Sequence, residues 1–155
     1  MKKVFTVGVF DLLHIGHINL FKNARALGDE LIVAVQSDEC ILKYKPEAQM
    51  VNTTEERLFM VSSIRYVDHV ITYDDVDEII KQVDFDIFAK GPDQCHAGFQ
   101  HAVEWCKAHG KEVVVVPRTE NISSTMLREV NPIMDWLDHL IFEMYFFHLV
   151  SMVIA

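Results

Sequence analysis

Short β-branched runs alternate with segments of helical period from the N-terminus to about residue 130, and this alternation constrains the fold more than any single motif. The runs are Val4 to Phe10, Leu31 to Gln36, His69 to Thr72, Asp86 to Ala89 and Val113 to Val116. Several are almost continuously apolar, as strands are when both faces of a sheet are covered. Between them the spacing predicts helices over Ile18 to Leu27 with Gly28 as the stop, and Thr54 to Ile64 behind a Thr53/Thr54 cap. Two more are expected over Val76 to Val83 behind Asp74/Asp75, and Phe99 to His109 ending at Gly110. Strands that alternate with helical crossovers predict one α/β, Rossmann-like, doubly wound domain over residues 1–130, with a mainly parallel five-stranded sheet. No repeat, low-complexity tract or Pro/Gly-rich linker divides it. The longest stretch without a period, Ser37 to Asn52, contains Lys43 and Lys45 and reads as a functional or mobile loop.

A chain of 155 residues with half of them apolar holds about one packed domain. Its formal net charge of −9 argues against a nucleic-acid footprint, so any anion site is local. The three cysteines, Cys40, Cys95 and Cys106, include no C-x-x-C pair and suit a reducing, cytoplasmic setting. MKKVFTVGVF is broken by Asp11 and His14 and lacks a small-residue cleavage site, so it is expected to be a strand and not a signal peptide.

The first run ends in Gly8-Val9-Phe10-Asp11, and a short turn then holds His14-Ile15-Gly16-His17 just before a helix. In an open α/β sheet, ligands bind beyond the carboxyl ends of the strands. A helix N-terminus there offers free N–H groups and a partial positive charge to a phosphate. Gly16 removes a Cβ where a phosphate chain would approach, and the two imidazoles can donate to adjacent phosphate oxygens. Neither a Walker loop nor a dinucleotide fingerprint occurs.

A second anion-seeking stretch follows the last strand, in Pro117-Arg118-Thr119-Glu120-Asn121-Ile122-Ser123-Ser124-Thr125-Met126-Leu127-Arg128. Its hydroxyls open a helix with Arg118 and Arg128 nearby. Read alone it is an ordinary Ser/Thr cap; paired with the histidine loop, it suggests a second grip on the same triphosphate.

GVFDLLHIGH, IRYVDHVI and RTENISSTMLRE together resemble the cytidylyltransferase family of nucleotidyltransferases over about the first 130 residues. The resemblance implies transfer of a cytidylyl group from CTP to a small phosphorylated alcohol, with Mg2+ present and pyrophosphate released. It further implies that His14 and His17 act on the phosphates, and that Lys45, Arg65 and Arg118 act at the substrate phosphate or the transition state. Gly8, Phe10, Asp11, Gly16, Asp93, Thr119, Ser123 and Ser124 are implied at the nucleotide. The H-x-G-H signature is shared with first-class aminoacyl-tRNA synthetases, whose chemistry also attacks an α-phosphorus and expels pyrophosphate. Here, however, ISSTM stands where a synthetase would have its lysine-rich loop. The nucleophile, a phosphate monoester with a second pKa of about 6, is already an anion at neutral pH and needs no general base.

Three departures bear on the substrate. Asn121 replaces the glycine of RTEGIST. The stretch YVDHVITYDDVDEII lacks the tryptophan that could wall a quaternary-ammonium cage, which disfavours choline. Lys90-Gly91-Pro92-Asp93 resembles the heptose-phosphate nucleotidyltransferases as well. The alternatives are therefore a sugar or polyol phosphate with CTP or ATP, and a non-catalytic nucleotide-binding module. Cys95, His96, His101 and Cys106 match no common zinc spacing, and Asp74, Asp75 and Asp77 are accounted for as a helix start, so no protein metal site is expected.

Asn131 and Pro132 suit the cap and first position of a further helix, an apolar extension over residues 131–155. From Met144 onward it carries no Asp, Glu, Lys or Arg. That stretch is shorter than the roughly 20 residues needed to span a bilayer, so burial against the sheet domain or a second subunit is expected, with shallow membrane-surface contact and a non-native or poorly ordered tail as the alternatives. The expected burial is a homodimer interface including Leu140, Phe142, Tyr145, Phe146 and Leu149.

Overall fold

A computed structural model describes residues 1–129. In chain order the elements are β1 (Lys3–Gly8), α1 (Ile15–Arg25), β2 (Glu30–Gln36), α2 (Asp38–Tyr44), α3 (Thr54–Ser62), β3 (His69–Tyr73), α4 (Val76–Gln82), β4 (Ile87–Lys90), α5 (Ala97–Ala108) and β5 (Glu112–Val115). The five strands form one sheet in the order β3-β2-β1-β4-β5, with every neighbouring pair parallel. This is the doubly wound α/β arrangement the alternation predicts. The chain divides into two compact units at Asn121/Ile122. The C-terminal helix expected over 131–155, and the interface residues expected on it, lie outside the described residues.

β1 is the central strand, and its side chains alternate between two cores. Val4 joins Phe21, Ala24, Leu31, Val61 and Ile87 on one face. Phe5 and Val7 join Ile80, Phe85, Phe88, Phe99 and Ala102 on the other. Each fully buried Phe or Leu contributes about 1.5–3 kcal/mol of transfer free energy, so covering both faces explains why the strands read as unbroken apolar runs.

Two local details differ from expectation. α1 begins at Ile15 rather than Ile18, because His14 itself caps it: the imidazole Nδ1 accepts from Gly16 N at 3.0 Å. Gly28 is not the left-handed stop of α1; the helix closes on Ala26 in ordinary helical geometry. What requires glycine there is close approach, since a Cβ would stand 2.6 Å from the Lys2 carbonyl oxygen. Gly110, by contrast, is left-handed (φ 67) after α5, as a C′ glycine should be.

The segment over 37–52 is not an unstructured loop. Ser37 caps α2 by accepting from Cys40 N at 3.2 Å, and Asp38 and Glu39 fill the first turn. Asp38 and Thr54 then exchange backbone-to-side-chain hydrogen bonds at 2.9 Å each, which pins α2 to the start of α3. Thr53 and Glu56 form a reciprocal capping box at that start.

Candidate active site

The strand order reverses between β1 and β4, and in such sheets the crevice beyond the carboxyl ends at this switch is where ligands bind. The loop after β1 forms one wall. Phe10 (φ 56) and Leu12 (φ 48) both adopt left-handed backbone, which costs a non-glycine residue of order 1 kcal/mol. Two features hold them there. The Phe10 ring is buried and folds back over Gly8, where a Cβ would come within 2.7 Å of it. The Asp11 carboxylate, 2% exposed, accepts from Val51 N and Asn52 N at 3.0 Å and from Asn52 Nδ2 at 3.1 Å. Asp11, expected at the nucleotide, thus fastens the loop to the segment before α3.

The loop delivers the histidine pair. The His14 and His17 rings stack with centroids 3.9 Å apart, and the Phe10 ring meets His17 edge-on at 5.4 Å. Burial and the positive charge of Arg118 lower the His14 pKa. Burial, with His14 adding to it, pushes His17 down to about 4. Both imidazoles are therefore neutral at pH 7. Because His14 Nδ1 accepts from Gly16, its single N–H sits on Nε2, which faces away from the helix cap. His17 Nδ1 is buried with no hydrogen-bond partner among the described residues.

Around the crevice the structure brings together Gly8, Phe10, His14, Gly16, His17, Asp93, Arg118 and Thr119. Arg118 pairs with Asp93 at 3.4 Å, which links the loops after β4 and β5. Thr119 Oγ1 accepts from Asn19 Nδ2 at 3.0 Å, tying the loop after β5 to α1. Lys90 ends β4, and its Nζ donates to the Gly91 carbonyl at 3.1 Å. Lys45, exposed, closes α2 after β2 and so belongs to the same end of the sheet.

Arg65 does not join them. It lies between α3 and β3, in a turn whose Asp68 N donates to Leu31 O at the start of β2. All strands run parallel, so this is the amino end of the sheet, opposite the histidines. Ser123 and Ser124 belong to the second unit, where residues 124–129 are helical and Ser123 Oγ caps them by accepting from Met126 N at 3.2 Å. Asn121 is left-handed (φ 59), the conformation a glycine would otherwise supply.

Sequence reasoning missed Arg57. Its side chain is fully buried and donates to Val9 O (2.6 Å), Gln36 O (2.8 Å), Asn52 O (3.2 Å), Asp38 Oδ1 (2.5 Å) and Thr54 Oγ1 (3.2 Å). It is the peg on which the ends of β1 and β2 and the start of α3 hang. Its spacing of four from buried Val61 was the available signal. Among the described residues no group of three or more His, Cys, Asp or Glu is placed to hold a metal, and no helix is long and apolar enough to cross a membrane.

Residues 5–130 match the cytidylyltransferase-like family model. The chain is 40% identical over 132 residues to the glycerol-3-phosphate cytidylyltransferase of Bacillus subtilis (strain 168), covering 83% of this chain and 96% of that one. It is also 40% identical over 120 residues to the FAD synthase of Thermococcus kodakarensis, covering 74% of this chain and 79% of that one. Identity to the bifunctional protein HldE of Azotobacter vinelandii is 37%, over 83% of this chain but 27% of the relative. Among solved structures, the lipopolysaccharide core biosynthesis protein of Thermoplasma volcanium GSS1 superposes with a TM-score of 0.63 at 29% identity, over 79% of this chain and 99% of that one. A neutral histidine pair at the switch point, and a family match that spans nearly all the described residues, lead to one conclusion: the chain belongs to the cytidylyltransferase-like family of nucleotidyltransferases.

Proposed function

We propose that the protein transfers a cytidylyl group from CTP to a small phosphorylated alcohol of the glycerol 3-phosphate kind. A phosphate oxygen of the acceptor attacks the α-phosphorus of CTP, a new P–O bond forms, and the bond to the β-phosphate oxygen breaks to release pyrophosphate. The observation that carries this reading is the stacked pair of neutral imidazoles at the start of α1. Neutral rings give directional N–H donors that follow charge onto the leaving pyrophosphate, and no proton need move because the nucleophile is already anionic. Lys45 and Arg118 offset the repulsion between the two anions and orient the attack. Mg2+ would enter as the complex of CTP, held chiefly by the phosphates.

A second reading, a sugar or polyol phosphate with CTP or ATP as donor, is favoured by the Lys90 to Asp93 sequence KGPD, which resembles the heptose-phosphate nucleotidyltransferases. One screen separates the readings. Purified protein with Mg2+ and each of the four nucleoside triphosphates is offered glycerol, polyol, sugar, choline and ethanolamine phosphates, and pyrophosphate release is followed. Release with CTP and glycerol 3-phosphate supports the first reading. Release only with a sugar phosphate selects the second, and nucleotide binding without release by any pair overturns both in favour of a binding module.

A further inference from the structure

The crevice between β1 and β4 is spanned by one side chain that no sequence motif singled out. Gln94 Nε2 donates to Val7 O at 2.9 Å, and Gln94 Oε1 accepts from Gly91 N at 2.8 Å. The register explains why this pairing is unusual. β1 and β4 are matched at Val4↔Ile87 and Phe5↔Phe88, and the ladder goes no further. Lys3 faces β4 with both backbone groups, since its N–H donates to Asp86 Oδ2 and its carbonyl accepts from Asp86 N. Residues two apart on a strand face the same neighbour, so the Val7 carbonyl faces β4 as well. Continuing the register sets Val7 against Lys90, and in a parallel ladder the group that then bonds to Val7 O is Gly91 N. Those two groups do not meet, because the Gln94 carboxamide stands between them, donating to one and accepting from the other.

We infer that Gln94 is a positioning residue, a spacer that holds the nucleotide crevice open by the width of one amide; this rests on the proposed nucleotide-binding function. It satisfies the two backbone groups that would otherwise zip β1 to β4, and so keeps apart the loop after β1, which leads into His17 at the start of α1, and the loop that carries Asp93. The loop after β4 is shaped to match. Gly91 has no Cβ to press on the Asp93 carboxylate, which a Cβ would approach to 2.9 Å, and Asp93 reaches Arg118.

The test uses two substitutions in the full chain, with Mg-CTP and Mg-ATP titrated calorimetrically and the thermal midpoint measured beside them. In Gln94→Ala the backbone groups can bond directly. Affinity for the nucleotide that the wild type binds should fall about 10- to 100-fold, as misplacement of site groups by an ångström does, while the midpoint holds or rises. Gln94→Met keeps the spacer length but strands both backbone groups, so affinity should be largely retained while the midpoint falls. A residue with only a structural role would lose both together. Unchanged affinity in Gln94→Ala, or affinity lost only alongside stability in both variants, overturns the inference. A wild type that binds neither nucleotide overturns the functional reading and this inference with it, whereas wild-type binding with both variants unaltered overturns this inference alone.

Discussion

Replacing Arg57 with methionine keeps the aliphatic stem and removes every hydrogen bond from the guanidinium. The Asp38 carboxylate then loses its ion-pair partner, and the carbonyls of Val9, Gln36 and Asn52 lose a donor. Breaking one side of a buried ion pair costs about 3–5 kcal/mol. Asp38 retains 32% side-chain exposure, so water recovers part of its solvation and the lower end of that range applies. The stranded carbonyls work the other way, at about 1 kcal/mol each where water cannot reach them. Val9, Gln36 and Asn52 are only half-buried, so water recovers most of the carbonyl cost and about 1 kcal/mol of it remains in all; the net loss near 4 kcal/mol is a large share of the roughly 5–15 kcal/mol that holds a domain folded. For a chain of this size it lowers the thermal midpoint by about 10–15 °C. Differential scanning calorimetry reads the shift directly, and hydrogen exchange should locate the loosening at residues 36–54. Arg57→Lys, with a single nitrogen for acceptors spread around the planar fork, should recover less than half of the loss. A midpoint within about 3 °C of wild type in Arg57→Met, with unchanged exchange over that segment, would refute the reasoning that this residue holds the strand ends together.

The histidine pair yields two expectations. His17→Ala should lower kcat by at least about 100-fold with a much smaller change in CTP affinity, since the lost bond strengthens mainly in the transition state; an unchanged kcat would remove His17 from the chemistry. Because the folded pKa values of both histidines lie below the ordinary 6.5, the unfolded chain binds more protons as the medium is acidified, so stability present above that value is lost on acidification, for His17 toward about 4. Thermal midpoints of His17→Asn should accordingly fall less steeply than wild type between pH 6.5 and 4.5, and parallel curves would contradict the assigned cause. For the apolar segment from residue 133 onward, we propose a dimer interface. Truncation after Asn131 should then yield monomer by light scattering, and a truncated chain that stays dimeric and equally stable would exclude it.

What the sequence made legible was whatever depended on burial from both sides. The strands of this sheet are covered front and back, so their apolar runs announced themselves, and the crossovers between them left the order of elements in little doubt. α2 escaped because its stability is tertiary. Of its residues only Cys40 and Ile41 are buried, and Ser37, Thr54 and Arg57 hold the rest in place from other elements. Gly28 reads in the sequence as a left-handed stop although close approach is what requires it, since a left-handed turn and a backbone crowded by Lys2 leave the same letter. Arg57, set between Glu56 and Leu58, looks like a solvated helix residue until the fold surrounds it with carbonyls.

The candidate site divides along the same line. A motif gathers residues by resemblance, but a parallel sheet gathers them by the end at which they sit. Residues that follow strands converge at the carboxyl edge, as His14 after β1, Asp93 after β4 and Arg118 after β5 do. A residue that precedes a strand, as Arg65 precedes β3, is carried to the far edge whatever its chemistry. The electrostatics follow from the convergence. In a chain of net charge −9, Arg118 reaches the crevice already paired with Asp93, and its field helps to hold His14 neutral. Under the proposed function, an incoming phosphate would therefore compete with Asp93 for Arg118 and would meet uncharged donors at the histidines. Affinity would then arise from helix N–H groups, imidazole N–H groups and a few exposed cations rather than from a strongly basic cleft. Such a site can bind a triphosphate and still release pyrophosphate, because no dense array of fixed charge holds the product after the bond to the α-phosphorus has broken.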